Sequence, residues 1–94
     1  MIVRWSPTAV ADLKSIRDYI AEDSPTAAHK VVARIKDAAG RLASFPLPGR
    51  VERVPGTREL VIPGTSYIAA DGVRGDEIEI AAVLHGSQDW PEGF

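Results

Sequence analysis

Residues 6–27, SPTAVADLKSIRDYIAEDSPTA, begin and end with the same tetrapeptide, Ser-Pro-Thr-Ala. A serine side chain accepts hydrogen bonds from the unpaired amides at the start of a helix, and proline fits the first helical position because no amide hydrogen is needed there. Each copy therefore predicts the start of a helix, one over residues 7–22 and a second from residue 25. The link between them is short, so the two helices should form an antiparallel hairpin.

The apolar residues of both segments recur every three or four positions, which places them on one face of each helix. In the first helix this stripe consists of Val10, Leu13, Ile16 and Ile20. In the second helix it continues as far as Phe45, where the sequence Phe-Pro-Leu-Pro-Gly should end the helix.

The rest of the chain has the pattern of short strands, at residues 2–5, 57–62, 67–70 and 77–85. The order β-α-α-β-β-β predicts an α+β fold in which the helical hairpin covers one face of an antiparallel sheet and leaves the other face open. In the last strand, apolar residues at 78, 80, 82 and 84 alternate with acids and His85. His85 should therefore face away from the helices.

Length and composition limit the kinds of protein that this chain can be. Ninety-four residues suit a single domain, 1–94, and 45% apolar with 26% charged residues are typical of a soluble globular protein. No apolar stretch has the roughly 20 residues of a membrane span, and the N-terminus lacks the features of a signal peptide, so we expect a cytoplasmic protein. Without cysteine, and with two separated histidines, the sequence indicates no disulfide, metal or other cofactor.

Charge is unevenly distributed along the chain. Residues 1–50 hold eight Lys or Arg against five Asp or Glu, whereas residues 51–94 hold three against eight. Proteins that bind nucleic acid neutralise its phosphates with clustered cations, and the C-terminal half offers only Arg53, Arg58 and Arg74. We therefore expect no sequence-specific DNA binding, and RNA contact by this half has little support.

Four segments, in this order, resemble a known family. They are W-S-P-x-A-x-x-D-L-x-x-I-x-x-Y-I-A from residue 5, F-P-x-P-G-R from residue 45, G-T-R-E-L-V-I-P-G-T-x-Y from residue 56 and V-L-H-G-x-Q-D-W-P from residue 83. Together they resemble the ParE/RelE superfamily of toxins from bacterial toxin–antitoxin modules. The resemblance implies a toxin that a ParD/RelB-like antitoxin neutralises in a hetero-oligomer. It also implies one of two targets, because ParE-like members inhibit DNA gyrase and RelE-like members cut mRNA on the ribosome.

The nuclease alternative has three candidate residues. Cleavage of RNA needs an acid, a base and a cation for the phosphate. His85 could be the acid or base, Glu52 resembles the glutamate of nuclease members, and Arg58 could contact phosphate. Each also has a structural interpretation: His85 could simply end its strand, Glu52 could pair with neighbouring arginines, and Arg58 could form a cross-strand pair. Trp90 is most simply an anchor that packs the C-terminal tail on the domain.

Two departures from the nuclease members favour the ParE-like interpretation. Isoleucine stands where an arginine usually opens the third strand, and Asp71-Gly72 stands where related members usually carry Tyr-Arg. Both changes remove cations, and Asp-Gly, which is typical of turns, should shorten the strand. We therefore predict a toxin that binds DNA gyrase and needs no active site. The alternatives are a ribosome-dependent mRNA endonuclease and a degenerate member that binds only its antitoxin.

The antitoxin should contribute an amphipathic helix that docks on apolar surface left uncovered by the helical layer and the sheet edge. A basic stripe of Lys30, Arg34 and Arg41 on the second helix is either a solvated face or a surface for an acidic antitoxin segment.

Overall fold

The computed structural model describes residues 2–44 and 57–86. Strand β1 (Ile2–Trp5) leads into helices α1 (Pro7–Ala21) and α2 (Pro25–Gly40), and a single 3-10 turn (Arg41–Ala43) follows α2. Strands β2 (Arg58–Val61), β3 (Tyr67–Arg74) and β4 (Glu77–His85) complete the fold. The predicted α+β class and the element order are confirmed.

Both helices begin at the repeated tetrapeptide, as predicted. The Ser6 side chain accepts the amide of Ala9 at 3.0 Å, and the Ser24 side chain accepts the amide of Ala27 at 3.1 Å. Only residues 22–24 separate the helices, and the two pack against each other. Helix α2 ends earlier than expected, at Gly40, but Leu42 in the 3-10 turn is still fully buried.

The sheet has the strand order β1-β4-β3-β2. β2, β3 and β4 pair antiparallel, as expected, but β1 pairs parallel to β4, so the sheet is mixed. A parallel pairing needs a long crossover connection, which the two helices between these strands supply in part. The helices pack on one face of the sheet and form the core with it.

Strand β3 is longer than the sequence predicted. It continues without interruption through Asp71 and Gly72 to Arg74, where Gly75, with φ of 62°, begins the turn into β4. The expectation that Asp-Gly ends the strand at residue 70 is therefore wrong. Both residues are paired with β4, and Asp71 also lies opposite Arg58 of β2, so cross-strand pairing outweighs the local turn preference.

A β-bulge at Ala81 changes which side chains at the end of β4 point toward the helices. Ala70 of β3 lies opposite Ala82, but the next residue, Asp71, lies opposite Ile80, which leaves Ala81 as the extra residue. Beyond the bulge, Val83 joins the core, and His85 lines a recess together with Ser15, Ile16 and Tyr19 of α1. The prediction that His85 faces away from the helices is therefore wrong.

The start of α1 holds this bulge through three hydrogen bonds. The Ser6 amide donates to the Ile80 carbonyl at 3.0 Å, and the Ser6 hydroxyl donates to the Ala81 carbonyl at 2.9 Å. One turn further, the Asp12 carboxylate accepts the Val83 amide at 3.0 Å. We call these contacts the bulge clamp. They join β4 to the residues that begin α1.

Replacing each helix-capping serine by alanine should separate two contributions to stability: the helix cap and the bulge clamp. Ser24→Ala loses one cap and should lower the free energy of unfolding by about 1 kcal/mol. Ser6→Ala also leaves the Ala81 carbonyl without its donor, so it should cost about 1 kcal/mol more. Urea denaturation of the two variants measures both values, and equal losses would contradict the additional role of Ser6.

Candidate functional site

A shallow recess of about 330 Å³ lies between α1 and the end of the sheet. It is lined by Ser15, Ile16 and Tyr19 from α1, Tyr67 from β3 and His85 from β4. The rings of Tyr67 and His85, which lie opposite each other in the sheet, meet edge to face with centroids 5.5 Å apart. The recess is open to solvent at Tyr19, which is 71% exposed.

The lining of the recess suits contact with a side chain or a base better than contact with a phosphate. Burial, and to a smaller extent the neighbouring Tyr19, raise the pKa of the Tyr67 phenol above its ordinary value, so Tyr67 is a neutral hydrogen-bonding group. None of the described residues that line the recess is a lysine, an arginine or a carboxylate. Among the described residues of this recess, His85 therefore has aromatic neighbours and no lysine or arginine that could hold a phosphate.

Arg58 is committed to a carboxylate within the protein. Its Nε and Nη2 atoms donate to Oδ1 of Asp71 at 3.2 and 2.8 Å across the β2–β3 pair. The Asp71 side chain is completely buried, and that of Arg58 is only 18% exposed. Of the two interpretations of Arg58, the cross-strand pair is the one that the structure shows. The Asp71 carboxylate therefore neutralises the Arg58 guanidinium within the sheet.

Asp71 is an important residue that sequence reasoning misjudged. Its Oδ2 atom is buried and has no hydrogen-bond partner among the described residues. Burial raises the pKa of the Asp71 carboxyl above its ordinary value of 3.8, and the hydrogen bonds and positive charge of Arg58 oppose this shift. The signal available in the sequence was the pairing of two strands joined by a Pro-Gly turn, which places an acid opposite Arg58.

The proposed nuclease residues are not brought together by the described structure. His85 lies opposite Tyr67 and Arg58 lies opposite Asp71, four residues further along β3, which separates them by about 13 Å along the strand direction. Glu52 and Trp90 lie outside the described residues. Among the described residues, no three histidine or carboxylate side chains are grouped so that they could hold a metal ion.

The remaining arginines of residues 2–44 and 57–86 also have acceptors. Arg34, in the basic stripe, donates to the Pro63 carbonyl at 3.5 Å and packs against Gly64, and Arg41 pairs with Asp37 on its own helix at 2.9 Å. Arg17 pairs with its neighbour Asp18. Ion pairs between exposed side chains are weak. They lower the local positive charge but do not hold the arginine side chains in one position.

The sheet face opposite the helices is neither open at its centre nor strongly acidic. Glu59, Ala70 and Ala82 form a cross-strand row on this face, and all three are buried. Nearer the other end, Glu77 pairs with Arg4 and Glu79 pairs with Arg74, at 2.7 and 3.7 Å. The expectation of an open face is therefore wrong at this central row, and the two acids at its end are balanced by two arginines.

A second depression, of about 240 Å³, follows the helical hairpin. It runs between the end of α1 and the start of α2, and its lining is mainly apolar: Arg17, Ala21, Pro25, Ala28, His29 and Val32. This depression is a candidate for the uncovered apolar surface on which the sequence predicts that an antitoxin helix docks. No helix in the described parts of the chain is both long and apolar enough to span a membrane.

A helical hairpin packed on one face of a four-stranded mixed sheet with a bulged last strand defines a class of small α+β domains. Residues 3–90 match the family described as the ParE toxin of the type II toxin–antitoxin system parDE. The chain belongs to this family and is the toxin component of a type II toxin–antitoxin system. Membership implies an antitoxin partner.

Individual relatives agree with this assignment. A putative toxin, Y4kP, from Sinorhizobium fredii is 42% identical over 96% of this chain and 93% of the relative. Toxin RelE2 from Caulobacter vibrioides is 36% identical over 92% of this chain and 96% of the relative. A solved structure of the chromosomal ParDE system from P. aeruginosa has a TM-score of 0.81 and 32% identity, covering 90% of this chain and 95% of the matched one.

Removing the Arg58 guanidinium should be far more costly than removing an exposed one. Arg58→Met leaves the buried Asp71 carboxylate without its counter-charge, so the free energy of unfolding at neutral pH should fall by about 3 to 5 kcal/mol. Arg41→Met, which breaks the exposed pair with Asp37, should change it by less than about 0.5 kcal/mol. Urea denaturation gives both values, and similar small losses would show that the buried pair is not needed.

The stability difference between the wild type and Asp71→Asn should depend on pH. Because the folded state raises the pKa of Asp71, folded protein binds more protons than unfolded protein between the two pKa values. The contribution of Asp71 is therefore fully present below its ordinary value of 3.8 and is lost as pH rises through the raised folded value. Denaturation curves of both proteins, with Asp37→Asn as the exposed control, measure this decline. A relative stability of the wild type that increases with pH would contradict it.

Proposed function

We propose that this toxin acts by binding an essential protein target, DNA gyrase, and that it does not cut RNA. The observation that carries the proposal is the buried pair between Arg58 and Asp71. Stabilising the charge that develops on a scissile phosphate requires free, preorganised cations, and the buried arginine of the sheet already has an anion. The other described arginines have acceptors in the chain as well.

The position of His85 supports the same proposal. Its imidazole meets the Tyr67 ring edge to face, lines the same recess as Tyr19, and lies about 13 Å along the strand direction from Arg58. A general acid or base must come within hydrogen-bond reach of the reacting group together with the groups that bind the phosphate. A recess with two phenol groups and an imidazole is better suited to a protein contact, since aromatic side chains are enriched at such interfaces.

Similarity to a solved ParDE system also favours the gyrase target. A relative of 36% identity is named RelE2, so the endonuclease alternative is tested alongside it. Before release, the toxin would be held by an antitoxin. The depression along the helical hairpin, with a volume of about 240 Å³, offers that partner a mainly apolar lining suited to the nonpolar face of an amphipathic helix.

Two assays with the same purified toxin test the target. We expect the toxin to inhibit supercoiling by gyrase and to leave the transcript of a coupled translation extract intact, because binding requires no cleavage chemistry. Lys36→Ala, at an exposed position of α2, is the surface control for the His85→Ala variant used below.

Transcript cleavage that disappears in His85→Ala would contradict the proposal and support the endonuclease alternative. A toxin that neither inhibits supercoiling nor cleaves the transcript would also contradict the proposal. That result would favour a protein that binds only its antitoxin. To exclude misfolding as the reason for a negative result, the same preparation should show the cooperative urea transition expected of a small domain.

A further inference from the structure

At the end of β4, the side chains that point toward the helices are not those that the alternation of its sequence predicts. Ile78, Ile80, Ala82 and Leu84 alternate as in a regular strand with one apolar face. In the structure, however, the residues beyond the bulge that face the helices are Val83 and His85. A regular strand would bury Leu84 there and would turn His85 to the opposite face, because a slip of one residue exchanges the two faces.

The bulge clamp is the contact that favours the observed facing. Asp12 accepts the Val83 amide at 3.0 Å, so a charged acceptor replaces the strand carbonyl that this amide would otherwise use. Ser6 meanwhile binds the carbonyl of the extra residue, Ala81. Asp12 also shares a side of α1 with Ser15 and Tyr19, which lie three and seven positions later and line the recess.

We propose that Asp12 is a positioning residue: by binding the Val83 amide it fixes the bulge at Ala81 and so places His85 in the recess. Without its carboxylate, β4 loses the bulge, Leu84 enters the recess and His85 moves to the other face of the sheet. This inference goes beyond the proposed function, since it holds for whichever target the toxin binds.

Three variants of α1 test the proposal. Asp12→Ala removes the acceptor, Asp12→Asn keeps a side-chain carbonyl at the same place, and Asp18→Ala removes an exposed carboxylate that pairs only with its neighbour in the described structure. The readouts are nuclear Overhauser contacts from the Tyr19 and Tyr67 rings to the side chains of residues 84 and 85, and the exchange rate of the Val83 amide.

We expect Asp12→Ala to lose the ring contacts of His85, to gain contacts from Leu84 to Tyr19, and to exchange the Val83 amide about tenfold faster or more. Asp12→Asn and Asp18→Ala should retain the wild-type contacts. The proposal is overturned if Asp12→Ala keeps the contact between the His85 and Tyr67 rings with unchanged exchange at Val83. It is also overturned if Asp12→Asn behaves as Asp12→Ala does.

Deletion of Ala81 provides a second test that does not depend on the stability of Asp12→Ala. With the extra residue removed, regular alternation from Ile80 places Val83 and His85 on the helix side. The deletion should therefore restore the contacts between His85 and the tyrosine rings when it is combined with Asp12→Ala, even if that variant alone unfolds. A folded double variant that lacks these contacts would refute the role assigned to Asp12.

Discussion

The contact between the start of α1 and the bulge of β4 is the constraint on which the rest of the structure depends. Ser6 begins the first helix and also binds the backbone of β4 at Ile80 and Ala81, while Asp12 binds Val83 from the next turn. These bonds join the helical layer to the central strands through backbone groups, so they determine where α1 lies and which residues of β4 it covers. The segment that begins the fold therefore also shapes the recess.

The electrostatics of the sheet follow from a second constraint, the burial of Asp71. A buried carboxylate is costly without a partner, and Arg58 is the partner that the strand register provides. The same pairing neutralises Arg58, the cation that the sequence offered for the endonuclease alternative. The stability of the sheet and the proposal that this toxin does not cut RNA thus rest on the same ion pair.

Much of the fold could be predicted from the sequence, because its signals are local. The two Ser-Pro-Thr-Ala segments predicted the helix starts, and apolar spacing predicted α1 within one residue. The errors involve contacts between distant residues. Alternation predicted the wrong face of the sheet for His85, because the bulge depends on Asp12, which lies 71 residues before Val83. Turn preference predicted the wrong end for β3, because Arg58 binds Asp71 across the strands. The parallel pairing of β1 is likewise a property of the whole fold.

The bulge clamp can be observed directly in the unmodified protein by scalar coupling across hydrogen bonds in an NMR experiment. The structure predicts a cross-peak that joins the Val83 amide nitrogen to the side-chain carboxyl carbon of Asp12, with a second that joins the Ser6 amide to the Ile80 carbonyl carbon. A cross-peak from the Val83 amide to a backbone carbonyl of β3, as in a regular antiparallel ladder, would contradict the account.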